Sequence, residues 1–387
     1  MSSPAPIPAA TPVSTQRPDA LVGVPAGPEA ERLVAGILDE ARRVLPDRTV
    51  SAAPLPRPVG GGPGNRLAAA GSLPGLIDLA RDAGASACAW LGGPGDAGDR
   101  LRLLLQPVLD QGLDFVSASY RRGPFDGALT TALVYPLMRA LYGVRLRQPL
   151  GPELALSRRF AERLAADPDW VEDPSRAGAD LWVVARAVEG GFGLGQAFLG
   201  PYPPYLAEPD ASPSELLAQV GDLLFRGMER TAATWQRVRG SRPVPTFGES
   251  APLPGARHPP NAALVAAFEL GCQDLVELWG AVLPPASLVA LRRAARQPGA
   301  SFRLDDRLWA RVVYDFALGH RQRVMDRGQI LRSLTPIYLG WLAGLLGECA
   351  GQGPEEVEAR VERLCLAFEA EKPYLISRWR WPDRFNP

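Results

Sequence analysis

The sequence predicts an α/β fold, with a mostly parallel sheet covered by helices and a helical extension behind it. In the first half, short apolar runs alternate with helical patterns, which is typical of a parallel sheet. After residue 261, apolar residues recur almost entirely at helical spacing. The chain has 387 residues, of which 46% are hydrophobic. That is enough for two domains, or for one domain with a long extension.

The predicted elements of the first half follow one another with short gaps. Each strand is a short apolar run, and each helix places its apolar residues near a 3.6-residue period. The predicted strands are 19–24, 48–53, 85–91 and 114–120, and the predicted helices are 29–44, 67–83 and 101–109. Further along, 179–188 and 214–238 are predicted helices and 195–199 a predicted strand.

Composition divides the chain into four parts. Residues 1–18, rich in Pro, Ala, Ser and Thr, are predicted to form a disordered tail. Residues 19–240 form the α/β domain, and 241–260, rich in Pro and Gly, form a linker. Residues 261–387 form the extension, with helices predicted over 261–283, 304–323, 327–348 and 355–379. Trp309 and Tyr338 are among the aromatic residues expected in the core between these helices.

Charge and cysteine content exclude several classes of protein. The 42 basic and 42 acidic residues cancel, so nucleic acid is not an expected partner. The four cysteines form no C-x-x-C pair and the two histidines are far apart, which disfavours a zinc site or a disulfide framework. No signal peptide is recognisable, and the longest apolar stretch, 337–346, is too short to span a bilayer. A cytoplasmic protein is expected.

A glycine loop follows the third strand, in the stretch SACAWLGGPGDAGDR, residues 86–100. Gly93, Gly95 and Gly98 spell G-x-G-x-x-G between a strand and a helix, the pattern that holds a dinucleotide pyrophosphate. The context disfavours this interpretation. The loop follows the third strand, not the first, and the next strand ends without the carboxylate that would hold a ribose.

The block LYGVRLRQPLGPELALSR, residues 141–158, carries a family resemblance. It resembles the arginine–Gln-Pro-hydrophobic-Gly-Gly-acid run of family 2-type glycosyltransferases with the GT-A fold, particularly the mannosylglycerate and glucosylglycerate synthase group. Pro152 replaces the second glycine. DALVGVP resembles the first nucleotide-binding strand of that family, and GPGN, residues 62–65, its Gly-Lys-Gly-Asn loop. The resemblance implies a GT-A three-layer α/β/α sandwich and extends from residue 19 through the helical extension.

On the donor side, the resemblance implies binding of a nucleotide-diphosphate sugar, with Mg²⁺ or Mn²⁺ held by an Asp-x-Asp strand end. The corresponding place, LGGPG at residues 91–95, has no carboxylate. Asp96 and Asp99 are either displaced ligands or residues that cap the next helix. The metal ligands are therefore expected to be lost. The implied donor-binding residues are Pro25, Gly64, Asn65, Arg66, Gln148, Pro149, Leu150 and Gly151.

On the acceptor side, the resemblance implies a site for a small hydroxy acid such as glycerate. Arginine guanidinium groups would hold its carboxylate, and the implied residues are Arg121, Arg122, Asp126 and Thr130. Asp180 matches a family acid, as acceptor base or as an N-cap. Glu153 would support the sugar pocket or pair with Arg158 or Arg159.

Two functions are compatible with these residues. The first is a hexosyltransferase that moves a hexose from a nucleotide-diphosphate sugar to a small hydroxy acid, with doubtful metal dependence. Without a metal ion, the diphosphate charge would be neutralised by backbone N–H groups or by arginines such as Arg57, Arg66 and Arg100. The second is a catalytically degenerate GT-A-like domain that binds a partner or acts as a scaffold. A homo-oligomer is compatible with either.

Overall fold

The structure, a computed structural model, describes residues 17–55, 73–93, 97–121, 127–149, 151–167, 179–202, 212–249, 261–297 and 302–381. Strands alternate with helices in its first half, as the sequence predicts. The strands are β1 (Ala20–Pro25), β2 (Val50–Leu55), β3 (Ala87–Trp90), β4 (Phe115–Arg121), β5 (Val144–Arg145), β6 (Leu154–Ser157), β7 (Leu194–Pro201), β8 (Arg242–Pro243) and β9 (Thr246–Phe247).

Seven strands form one central sheet in the order β2-β1-β3-β6-β4-β7-β9, and β5 pairs with β8 in a separate two-stranded sheet. Six strands of the central sheet run in the same direction, and β6 alone is antiparallel to its neighbours β3 and β4. The predicted mostly parallel sheet is confirmed.

Helices cover both faces of this sheet, which makes three layers. Odd and even residues of a strand point to opposite faces. In β1, Val22 and Val24 belong to an apolar cluster with Ile37 and Leu101 on one face, whereas Leu21 belongs to the cluster of Leu76 and Phe160 on the other face. The helices of this part are α1 (Ala30–Val44), α2 (Leu73–Asp82), α3 (Ala97–Asp110), a π-helical turn (Thr130–Val134) that continues into α4 (Tyr135–Tyr142), α5 (Arg158–Ala165), Ala179–Glu189, Pro213–Arg230 and Ala232–Trp235.

The C-terminal part is helical, as predicted. Its helices are Asn261–Asp274, Val276–Val282, Pro285–Ala294, Asp306–Gln322, Arg327–Cys349 and Pro354–Arg380. Trp309 and Tyr338 are buried between them, as expected. The helix Arg327–Cys349 is long and apolar enough to cross a membrane, but 78% of its apolar window is buried inside the protein, as in a core helix.

The segment predicted as a linker, 241–260, takes part in both sheets over its described residues. Thr246 and Phe247 of β9 pair with β7 and form the edge of the central sheet. Arg242 and Pro243 of β8 pair with β5. Residues 250–260 lie outside the described part of the chain. Main-chain pairing of this kind is not visible in a Pro- and Gly-rich sequence, because it depends on the neighbouring strands.

Asp114 joins several elements at the amino end of β4. Its carboxylate accepts hydrogen bonds from the Ser157 hydroxyl (2.7 Å), the Gly193 N–H (2.8 Å) and the Arg159 guanidinium (2.6 Å to Oδ1). Burial by itself would raise the pKa of Asp114, but the Arg159, Gly193 and Ser157 donors stabilise the carboxylate and hold that pKa below its usual value.

Asp114→Asn is expected to lower the free energy of unfolding by about 1.5–3 kcal/mol at pH 7, because the Ser157, Arg159 and Gly193 donors lose their charged acceptor. The ionised carboxylate stabilises the folded state above the unfolded pKa of about 3.9, and this contribution is lost as the pH falls through the lower folded pKa. Urea unfolding from pH 7 to pH 3 should therefore show the two proteins converging. An equal difference at every pH would contradict this, and Asp110→Asn, at an exposed surface pair, is the control.

Candidate active site

The candidate site lies at the edge where the parallel strands of the central sheet end. In open α/β sheets, ligands bind outside the carboxyl ends of the strands, where the chain order reverses direction. Here β2 and β3 lie on opposite sides of β1, so such a reversal occurs at β1. Pro25 ends β1, Gly92 and Gly93 follow β3, and Arg121 ends β4. The Gln-Pro-Leu-Gly block reaches the same edge.

Gln148 fixes this block on the end of β4. Its side-chain carboxamide accepts a hydrogen bond from the Tyr120 N–H (3.2 Å) and donates one to the Tyr120 carbonyl. Its own carbonyl accepts from the Ser117 hydroxyl at 2.9 Å. Gln148 is 9% exposed, so these contacts are largely shielded from water. A glutamine side chain can bind both the N–H and the carbonyl of Tyr120, because its amide group both donates and accepts hydrogen bonds.

Gly151 allows the block to approach the sheet closely. A Cβ atom at this position would lie 2.5 Å from the Ser117 Oγ and 2.6 Å from the Ala118 carbonyl oxygen. Both distances are below van der Waals contact, so any side chain would displace the loop or the strand. The glycine of the Gln-Pro-Leu-Gly block is therefore required by packing against β4.

Glu153 is the centre of a fully buried polar cluster. Its side chain is 0% exposed and forms an ion pair with Arg100 of α3. Its Oε1 accepts from the Gly92 N–H at 2.8 Å, and its Oε2 accepts from the Tyr120 hydroxyl at 2.7 Å and the Arg100 Nε at 3.0 Å. Arg100 also donates to the Gly93 carbonyl at 3.0 Å. The cluster ties the glycine loop, α3 and β4 together.

The partners of Glu153 differ from those considered from the sequence. Arg158 instead pairs with Glu162, and Arg159 pairs with Asp114. The sequence offers Arg100 as a counter-charge for a diphosphate, but in the structure Glu153 compensates the charge of Arg100. Because Glu153 is completely buried, it acts on the site by holding the loop and the strand end in place.

The described part of the glycine loop offers no oxygen cage for a divalent cation. Such cations need several free oxygen ligands, and both oxygens of Glu153 already accept hydrogen bonds. Asp99 is exposed and pairs with Arg102. Within the described ranges, no three His, Cys, Asp or Glu side chains are placed to hold a metal ion. Asp96 lies outside those ranges.

Arg147, which the sequence places directly before the Gln-Pro pair, lies beside the π-helical turn that begins at Thr130. Arg147 lies over the Tyr135 ring, 5.1 Å from its centre, and is within 3.4 Å of the Thr131 hydroxyl. Its backbone N–H donates to the Gln196 side chain at 2.9 Å. Thr130 begins the neighbouring π-turn, and Arg121 is half-buried at the end of β4. The sequence signal for Arg147 was its place directly before the Gln-Pro pair.

Several predicted site residues lie outside the part of the chain that the structure describes. The helix that carries Asp180 begins at Ala179, as predicted, and ends at Glu189, one residue later than predicted. The Asp180 side chain lies outside the described part of the chain. Of the remaining predicted residues, Gly64, Asn65, Arg66, Leu150, Arg122 and Asp126 lie outside the described ranges. Arg57 and Arg66 therefore stay predictions. The Arg100–Glu153–Tyr120 cluster was missed because its members are far apart in sequence and share no motif.

No family model and no curated protein matches the chain. Solved structures do match. One is glucosyl-3-phosphoglycerate synthase from Mycobacterium tuberculosis in complex with Mn²⁺, UDP and glucosyl-3-phosphoglycerate, with 18% identity, a TM-score of 0.39, and coverage of 62% of this chain and 86% of that chain. In another complex the same enzyme holds Mn²⁺, UDP-glucose and phosphoglyceric acid, with 19% identity and a TM-score of 0.38 over 61% and 84% of the two chains.

Mannosyl-3-phosphoglycerate synthase from Rubrobacter xylanophilus also matches, with 19% identity and a TM-score of 0.36 over 57% of this chain and 77% of that chain.

Proposed function

We propose that this protein is a glycosyltransferase of the GT-A type that transfers a hexose from a nucleotide-diphosphate sugar to a small hydroxy acid. One observation carries the proposal. Gln148 and Glu153 of the Gln-Pro-Leu-Gly-x-Glu block bind the end of β4 and the loop after β3, at the edge of the sheet where open α/β folds bind ligands. It is the segment with the most specific resemblance to those enzymes.

The proposed transfer forms a bond between the acceptor hydroxyl oxygen and the anomeric carbon of the sugar. The bond from that carbon to the diphosphate breaks, and a nucleoside diphosphate leaves. Asp180 is proposed to take the proton of the acceptor hydroxyl. Arg121 and Arg147 are proposed to hold the acceptor carboxylate or phosphate, since guanidinium groups bind such anions in bidentate fashion.

The divalent metal implied by the family does not fit the described carboxylates, because Glu153 has no free oxygen and Asp99 is bound to Arg102. We therefore propose donor binding that does not depend on an Asp-x-Asp metal site. Backbone N–H groups at the start of α3 and arginines outside the described ranges are the proposed counter-charges.

A second function, a GT-A-like domain that binds or scaffolds without catalysis, is favoured by one observation. Arg100 and Glu153 neutralise each other in a buried ion pair, next to the loop that corresponds to the metal-binding strand end of the family. A scaffold would keep this cross-link and the intact sheet edge without needing a donor.

Titration calorimetry with UDP-, GDP- and ADP-hexoses, with and without Mn²⁺, separates these proposals. Micromolar donor binding that is the same with and without Mn²⁺ is expected. Binding that appears only with Mn²⁺ would overturn metal independence. If no donor binds under either condition, the transferase proposal fails and the scaffold proposal is favoured.

The acceptor side is tested by titrating glycerate and phosphoglyceric acid into Arg121→Gln. Loss of a charged hydrogen bond to the acceptor is expected to weaken binding roughly 10- to 100-fold. Arg42→Gln, on an exposed helix face far along the chain, is the matched control and should bind as the unsubstituted protein does. If the two variants bind glycerate and phosphoglyceric acid with equal affinity, Arg121 does not contribute to acceptor binding.

A further inference from the structure

The π-turn at Thr130–Val134 has a cause in the sequence. In a regular α-helix the carbonyl of Ala132 would accept a hydrogen bond from the N–H of residue 136, but Pro136 has no N–H. The proline ring also crowds that carbonyl. The chain widens into a π-turn here, with the Tyr135 N–H donating to the Thr130 carbonyl. Such turns are frequent at functional sites.

The helical extension supplies a donor to this same carbonyl. The indole N–H of Trp309 donates to the Ala132 carbonyl oxygen at 2.8 Å. Trp309 is completely buried and stacks on Trp341, with ring centres 6.0 Å apart. Its position is therefore fixed by the extension, and the donor that Pro136 cannot provide comes from a residue 177 positions away in the chain.

The far end of the same helix depends on the extension in the same way. Lys372 donates to the carbonyls of Ala140 (2.6 Å) and Leu141 (3.2 Å), in the last turn of α4. Helices leave their last carbonyls without internal partners. Between the two ends, the buried Arg139 pairs with Glu362 and Glu369 of the last helix. The extension thus contacts α4 along its whole length.

The segment held in this way borders the acceptor side. Thr130 and Thr131 belong to the π-turn, and Arg147 lies beside the Thr131 hydroxyl and over Tyr135. Arg147 also pairs with Glu358 of the last helix at 3.2 Å. A change in the π-turn would move Thr131 relative to Arg147.

We infer that Trp309 is a positioning residue, which holds the π-turn Thr130–Val134 through the Ala132 carbonyl and so sets the geometry of Thr131 and Arg147. The structural part of the inference stands on the hydrogen bond alone, and its consequence for acceptor binding rests on the proposed function. The extension then contributes to the geometry of the site.

The test compares Trp309→Phe with Trp279→Phe. Trp279 is equally buried, and its indole donates at 2.9 Å to the Ser333 carbonyl within the extension itself. Each variant loses one indole donor. Amide hydrogen exchange of segment 129–135 is measured by mass spectrometry in the full-length protein. We expect roughly five- to tenfold faster exchange of this segment in Trp309→Phe only, as for the loss of one net hydrogen bond.

A second measurement separates positioning from general undocking of the extension. Lys372 is the only lysine of the chain, so its modification by an amine-reactive ester, measured on the peptide that contains it and apart from the N-terminal amine, reports exposure at the far end of α4. We expect equal labelling rates in the two variants. Faster labelling in Trp309→Phe would overturn a local positioning role, as would equal exchange of segment 129–135 in both variants.

The acceptor arm uses phosphoglyceric acid as the probe. A severalfold weaker affinity in Trp309→Phe, with Trp279→Phe unchanged, supports the inference. Unchanged affinity in both variants overturns the link to the acceptor side. If the unsubstituted protein itself binds no phosphoglyceric acid or glycerate, the proposed function fails, and the exchange measurement still decides the role of Trp309.

Discussion

Glu153→Ala is expected to lower the free energy of unfolding by about 3–5 kcal/mol, because it leaves Arg100 as an uncompensated buried charge. The Gly92 N–H and the Tyr120 hydroxyl lose their acceptor in the same substitution. The glycine loop and the end of β4 should then separate, and donor binding should be lost with them. Urea unfolding measures the first effect and calorimetry the second.

Two further variants decide what Glu153 contributes. Arg100→Met combined with Glu153→Gln removes both charges and keeps an acceptor for Gly92, so most of the lost stability should return. Glu162→Ala breaks an exposed pair with Arg158 on α5 and should cost at most about 0.5 kcal/mol. A Glu153→Ala protein as stable as Glu162→Ala would show that the buried pair does not hold the loop.

Gly151→Ala is expected to cost about 3 kcal/mol, at the upper end of overpacking effects. The new Cβ atom would lie 2.5 Å from the Ser117 Oγ and 2.6 Å from the Ala118 carbonyl oxygen. Ala118 lies in a central strand between β6 and β7 and cannot move without breaking the sheet. The Gln148 clamp must shift instead, which should weaken donor binding as well as stability.

Gly36→Ala is the matched control for this glycine. Gly36 lies in the exposed part of α1, and nothing is within 4 Å of the Cβ position. The substitution should stabilise the protein by up to about 1 kcal/mol, the usual difference between glycine and alanine inside a helix. If Gly151→Ala behaves like Gly36→Ala, the close contact of the block with β4 is not required.

The alternation of strands and helices was readable from the sequence, because apolar periodicity is a local property. The predicted strand 114–120 is β4 within one residue, and the predicted helix 327–348 ends one residue later in the structure. The sequence predicts a linker over 241–260, but its described residues, 241–249, contribute β8 and β9. Edge pairing of this kind depends on the neighbouring strands.

The sequence by itself determined the α/β class, the helical extension, and the block that marks the site. It also placed Pro136 after the π-turn, where the proline removes one backbone donor from the helix. Only the tertiary structure decided which groups bind the buried polar atoms. Arg100 and Tyr120 bind the Glu153 carboxylate, and Trp309 donates to the Ala132 carbonyl. Packing brings these partners together from distant parts of the chain. A buried polar group needs a hydrogen-bond partner, but no sequence spacing identifies which residue that partner is.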